Sequence, residues 1–138
     1  MELEQCVNFV LTKAQNAIQQ LFKAELAPYG VTPGQYAVLK CLWDENGQTA
    51  KQLSERLYLD GSTVTGILDR MENKSLIIRQ PDPKDRRAVR VMLTERGRAL
   101  NEPVSAAIER ANKKALERLA PEETVLLKRL LEELNHGS

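Results

Sequence analysis

Apolar residues recur along this chain at two different periods, and the change between them marks out its elements. Leu3, Val7, Val10, Leu11, Ala14, Ile18, Leu21 and Phe22 repeat at helical spacing, which predicts one long amphipathic helix ending near Pro28-Tyr29-Gly30. Thr32-Pro33-Gly34-Gln35 follows, offering a capping hydroxyl, a proline at the first helical position and a glutamine able to reach back to the cap. Tyr36, Leu39, Leu42 and Trp43 form the inner face of the short helix it opens, and Asn46-Gly47 breaks it. Thr49-Ala50-Lys51-Gln52 repeats the cap signature before a helix with Leu53 and Leu57 inside. After Asp60-Gly61, the spacing of Val64, Ile67, Leu68 and Met71 predicts a further helix that stops around Asn73-Lys74-Ser75.

The period then shortens. Residues 76–79 form a β-prone run, and Val89, Val91 and Leu93 alternate with Arg90 and Met92 as in a half-buried strand. Between them, residues 80–87 are polar, with Pro81 and Pro83 opposing regular structure, so a two-stranded hairpin with a long charged tip is expected. Helical spacing resumes at Thr94-Glu95 with Leu100, Val104, Ile108, Ala111, Ala115, Leu116 and Leu119, and Pro103 within that stripe predicts a kink. Ala120-Pro121 breaks it, and a last helix carries Leu126, Leu127, Leu130, Leu131 and Leu134 before a frayed tail, residues 135–138. Helix, helix and hairpin behind a supporting helix is the plan of a winged helix-turn-helix, so the fold class is mainly α with a small β-hairpin wing.

At 138 residues the chain fits one domain, and its 42% apolar residues suffice for a core. No apolar run approaches a membrane span, and the acidic start Met1-Glu2-Leu3-Glu4 is unlike a signal peptide, so a cytoplasmic protein is expected. Cys6 and Cys41 match neither a metal-site spacing nor a disulfide framework, and no cofactor motif is evident. The only histidine, His136, is in the tail, and no nucleophile motif or phosphate loop is visible, which argues against an enzyme. Net charge is only +1, but it is unevenly spread. Residues 51–98 hold eleven Lys/Arg against seven Asp/Glu, whereas the flanking segments are slightly acidic. A local basic patch is what an anionic backbone meets.

The helix from about Ser62 to Asn73 carries the most informative outer face: Ser62, Thr63, Thr65, Gly66, Asp69, Arg70 and Asn73. Small residues let a helix backbone sink into a major groove, where hydroxyls reach phosphates or base edges and Arg70 reaches guanine or a phosphate. The hairpin tip, Asp82-Pro83-Lys84-Asp85-Arg86-Arg87, suits the negative potential of a narrow minor groove. Asp85 is expected to hold the Arg87 side chain in one rotamer by a charge-assisted bond.

These segments carry a family resemblance. Leu57-Tyr58-Leu59-Asp60-Gly61-Ser62-Thr63-Val64-Thr65, Leu68-Asp69-Arg70-Met71-Glu72 and Asp82-Pro83-Lys84-Asp85-Arg86-Arg87-Ala88-Val89, running into Leu93-Thr94-Glu95-Arg96-Gly97, resemble the MarR family of bacterial transcriptional regulators. The resemblance implies a sequence-specific regulator of transcription, usually a repressor. Its recognition helix would lie in the major groove, with Arg87 at the wing tip in the minor groove. It also implies a homodimer built from the terminal helices, residues 1–28 and 99–136, around a DNA-binding core of residues 32–98. Apolar surface on those helices that a small core cannot use points the same way. Such a dimer would read a pseudo-palindrome in double-stranded DNA, with half-sites about 34 Å apart or a multiple of that. Ser62, Thr63, Thr65, Gly66, Arg70, Lys84, Asp85, Arg86 and Arg87 are the candidate DNA-binding residues.

Many members release DNA when a small aromatic or phenolic acid binds, and Tyr29, Tyr36 and Trp43 lie where such an effector pocket would form, or else pack the core. Others sense oxidants through a cysteine in the first helix. Counting back from Tyr36, that position falls nearer Asn8 than Cys6, and no Lys or Arg adjoins Cys6 to activate it. A redox-responsive regulator using Cys6 is one alternative, and a winged helix that serves only as a protein–protein adaptor is the other.

Overall fold

The structure is a computed structural model that describes residues 1–135, so His136, Gly137 and Ser138 of the expected tail lie outside the described residues. A short 3-10 turn at Leu3–Gln5 precedes α1 (Val7–Leu26), and a second, Ala27–Tyr29, leads to α2 (Pro33–Asp44). β1 (Gln48–Thr49), α3 (Ala50–Leu57) and α4 (Gly61–Asn73) follow, then the hairpin β2 (Ile77–Pro81) and β3 (Val89–Leu93). The chain continues as α5 (Glu95–Ala99), α6 (Asn101–Leu116) and α7 (Pro121–Asn135), so Asn135 is the last residue of a helix rather than part of a frayed end.

Both expected capping boxes form. The Thr32 hydroxyl accepts from the Gln35 N–H at 3.1 Å while the Gln35 side chain accepts from the Thr32 N–H at 3.2 Å. Thr49 and Gln52 make the same exchange at 3.2 and 2.8 Å. These are local bonds between residues three apart, so short motifs specify them fully.

Gln80 and Pro81, expected in the irregular tip, extend β2 opposite Arg90 and Val89, since a proline is tolerated at the end of an edge strand. Two further departures come from longer-range terms. The sheet has three strands, ordered β1-β3-β2, because Gln48 and Thr49 pair with Val91 and Arg90. Two residues are too few to carry an alternating pattern. The kink expected at Pro103 takes the form of a one-residue interruption between α5 and α6 at Leu100, whose own backbone stays helical. Pro103 has no N–H to offer the Ala99 carbonyl, so the ladder fails one turn before the proline itself.

The core lies where α2, α3, α4, the sheet and α6 meet. Leu26, Val38, Leu39, Leu42, Leu53, Val64, Leu68, Met71, Leu76, Ile77, Val91 and Val104 are all buried. Gly97 is in tight contact there: a Cβ would stand 2.2 Å from the Leu76 carbonyl oxygen, and its own carbonyl accepts from the Trp43 indole at 2.9 Å. Outside this core, α1 lies along α6, and Glu25 receives Lys114 and, at 3.3 Å, Arg110. The Lys114 bond, then that from Arg110, holds the Glu25 carboxyl below its usual range.

The terminal helices have an uncovered face. Leu3 in the first 3-10 turn and Val7, Val10 and Leu11 at the start of α1 are exposed, as are Val125, Leu126, Leu127, Leu130, Leu131 and Leu134 on α7. Leu11, Ala14 and Ile18 line one apolar trough with Leu127 and Leu131. No residue of α7 is buried.

Candidate nucleic-acid interface

α4 is positioned by its inner face. Val64, Ile67, Leu68 and Met71 are buried, which leaves Ser62, Thr63, Thr65, Asp69 and Arg70 exposed on the opposite side. Gly66 is half-buried, and a Cβ there would meet only the Arg70 guanidinium, at 3.7 Å. Arg70 therefore folds back over Gly66, leaving the first two turns shallow.

The N-terminus of α4 is capped by Asp60, whose carboxylate accepts from the Thr63 N–H at 2.8 Å and the Ser62 hydroxyl at 2.7 Å. Those bonds, the Ser62 one first, hold the Asp60 carboxyl below its ordinary range. Two consequences follow for the expected site. The Ser62 proton is already committed, so its oxygen faces outward as an acceptor. The positive end of the helix, which would favour a phosphate, already has a carboxylate beside it.

The hairpin brings Lys84, Asp85, Arg86 and Arg87 together at an exposed tip. Asp82 accepts from the Lys84 N–H at 2.9 Å and Asp85 from the Arg87 N–H at 3.0 Å, two successive turns closed by side chain to backbone. The expectation for Asp85 is corrected here: its carboxylate holds the backbone of Arg87, not the guanidinium. An aspartate bonds the N–H two residues on at little entropic cost, whereas an exposed arginine must be immobilised to pair.

One link joins wing and helix. Arg79 on β2 donates to Asp69 on α4 at 2.6 Å, while Arg79 Nε is buried without a partner. Lys74, at the far end of α4, donates to the Gly30 carbonyl at 2.8 Å and to the buried Gln35 at 2.9 Å. The C-terminal half of α4 is thus tied to other elements by charged side chains.

The family model for MarR matches residues 31–89, the span from the start of α2 into β3. An organic hydroperoxide resistance transcriptional regulator from Bacillus subtilis is 37% identical over 102 residues, covering 74% of this chain and 69% of its own length. The chain belongs to the MarR family. Among solved structures, a probable transcriptional regulator from Pseudomonas aeruginosa superposes on this MarR protein with a TM-score of 0.89 at 32% identity, covering 96% of this chain and 99% of its own. BpsR from Bordetella bronchiseptica, whose DNA binding is regulated by 6-hydroxynicotinic acid, superposes with a TM-score of 0.91 at 27% identity, covering 98% of this chain and 96% of its own.

The winged helix is the fold these relatives share, and they are transcriptional regulators. Among the described residues no helix is long and apolar enough to cross a membrane, and no cluster of His, Cys, Asp and Glu is arranged to hold a metal. Tyr29, Tyr36 and Trp43 pack against the core, and the Tyr36 and Trp43 rings lie 6.3 Å apart, tilted by 59°. Burial raises the Tyr36 hydroxyl above its ordinary pKa, and it does the same to the Cys41 thiol, which disfavours the reactive thiolate. Cys6 is half-buried at the N-cap of α1. Sequence reasoning overlooked Asp60 as a cap, although an aspartate three residues before Thr63 is a recognisable signal. It also overlooked the Asp69–Arg79 pair, which no local pattern announces.

Proposed function

We propose that this MarR regulator represses transcription as a two-fold dimer on a pseudo-palindromic duplex operator. In that reading α4 enters the major groove through Ser62, Thr63, Thr65, Gly66 and Arg70, and the tip with Lys84, Asp85, Arg86 and Arg87 enters the adjacent minor groove. Residues 32–98 are the DNA-binding core, and residues 1–28 and 99–136 are the dimerisation region. The observation that carries the reading is the Asp69–Arg79 bond at 2.6 Å, which couples a helix with a shallow exposed face to a cationic tip. A protein–protein adaptor needs neither the small residues on α4 nor the arginines on the wing. The uncovered apolar faces of α1 and α7 support a second copy as their cover.

Control by a small aromatic acid is the second part of the proposal. A cleft of about 290 Å³ opens between α2, β3 and the α5–α6 break, lined by Leu42, Trp43, Asn46, Leu93, Arg98 and Asn101. One aromatic wall, one guanidinium and two carboxamides suit a planar carboxylate. The test is retention of random genomic duplex fragments at several salt concentrations, followed by sequencing. A recovered pseudo-palindrome, with affinity falling steeply as salt rises, supports the dimeric reader. No retention at low salt would overturn it in favour of the adaptor.

A further inference from the structure

Resting on that DNA-binding reading, we propose that Tyr58 is a direct contact to the DNA backbone, its ring packed on a deoxyribose and its hydroxyl bonded to a phosphate beside α4. Tyr58 closes α3 in the left-handed conformation, φ 55° and ψ 41°, where its N–H and that of Leu59 both turn back to the Ser54 carbonyl. The α3–α4 turn requires that conformation. It does not require a tyrosine, since glycine or asparagine adopts it with less strain.

A large aromatic at such a position is ordinarily repaid by packing. Here there is none, because Tyr58 is 94% exposed. The other non-glycine residue with positive φ among the described residues shows the contrast. Ser75, at φ 62°, is small, and its carbonyl accepts from the Thr94 hydroxyl at 2.7 Å. Tyr58 combines backbone strain, an uncovered ring and a free hydroxyl two residues before Asp60, the cap of the recognition helix. Strain with no return inside the protein points to a return outside it. At this place in a helix-turn-helix the surface to be met is the sugar–phosphate edge of the groove that α4 enters.

The variants Tyr58→Gly and Tyr58→Phe in the full chain test this, using the duplex recovered by genomic selection. Tyr58→Gly is expected to raise the thermal midpoint by about 2–5 °C, through relief of strain, while weakening duplex binding about tenfold. Tyr58→Phe is expected to keep the wild-type midpoint and lose part of that affinity. The salt slope should stay as in the wild type, because a neutral phenol releases no counterion. Unchanged affinity in Tyr58→Gly overturns the contact, as does a fall in its salt slope, which would mean that neighbouring cations had moved. Failure of the wild-type chain to retain any duplex would instead defeat the DNA-binding reading itself.

Discussion

The carboxylate of Asp69 on the recognition helix and the guanidinium of Arg79 at the base of the wing meet at 2.6 Å. Asp69 is 57% exposed and Arg79 is 29% exposed, so the pair sits at the boundary of solvent, where an ion pair adds little to stability. In the proposed mode of DNA binding its importance is geometric, because the angle between α4 and the hairpin would decide whether both grooves can be reached at once. Asp69→Asn is expected to cost about 1 kcal/mol or less in urea unfolding, yet to weaken operator binding about tenfold through the loosened wing. A double-mutant cycle with Arg79→Gln should show losses well short of additive. Fully additive losses would mean that the two residues act separately.

The wing tip gives a prediction that separates charge from turn formation. Asp85 accepts from the Arg87 N–H at 3.0 Å, a bond that an asparagine carbonyl can replace. Asp85→Asn is therefore expected to bind duplex at least as well as the wild type, having shed a negative charge from the surface proposed to meet DNA. Asp85→Ala loses the turn and should bind more weakly. Gel retardation decides it: weak binding by Asp85→Asn would restore the view that the carboxylate orients the Arg87 guanidinium. Arg87→Ala in the same series should lower the salt slope by about one.

Much of this was legible in the chain, and the limits are physical. The caps at Thr32 and Thr49 were readable because donor and acceptor lie three residues apart. The inner face of α4 was readable because burial selects apolar residues at helical spacing. β1 was not, since two residues carry no period and their pairing with β3 depends on residues some forty positions away. The break before α6 was placed too late, at the proline rather than at the carbonyl the proline leaves unpaired. Of the candidate site, the exposed positions on α4 and the wing were foreseen; the Asp60 cap was missed although its partners Ser62 and Thr63 are local, whereas Arg79 acts through Asp69, which only the fold brings to it. The uncovered leucines of α7 were expected, because a small winged core cannot use all the apolar surface of the terminal helices.

Asp60 gives the recognition helix a pH dependence. The Ser62 hydroxyl and then the Thr63 N–H stabilise its charged form in the folded state and hold its pKa below the ordinary range. A carboxylate with a lowered folded pKa contributes stability that is fully present above its unfolded pKa and lost as pH falls through the folded one. Acidification should therefore fray the start of α4. Asp60→Asn keeps a capping carbonyl at every pH, so its stability should fall less steeply in acid. The variant should also bind duplex more tightly near neutrality, because a negative charge has left the helix end proposed to face phosphate. Thermal melts between pH 3 and pH 7 check the first statement (an acid limb as steep as wild type would refute it), and retardation at neutral pH checks the second.

The terminal helices carry the last prediction. Leu127 and Leu131 line an apolar trough with Leu11 and Ile18, and all of α7 lacks a buried residue, so within one chain this helix gains little from its own leucines. A second copy that covers the trough removes apolar area from water at about 25 cal/mol per Å², which makes α7 the element most dependent on dimerisation. Leu127→Glu with Leu131→Glu should yield a monomer in sedimentation. The winged core, whose buried residues lie elsewhere, should keep its helical content. Operator affinity should fall by about a hundredfold or more, because two linked half-site contacts become one. A double variant that remains dimeric would move the interface away from α7, to the exposed start of α1 alone.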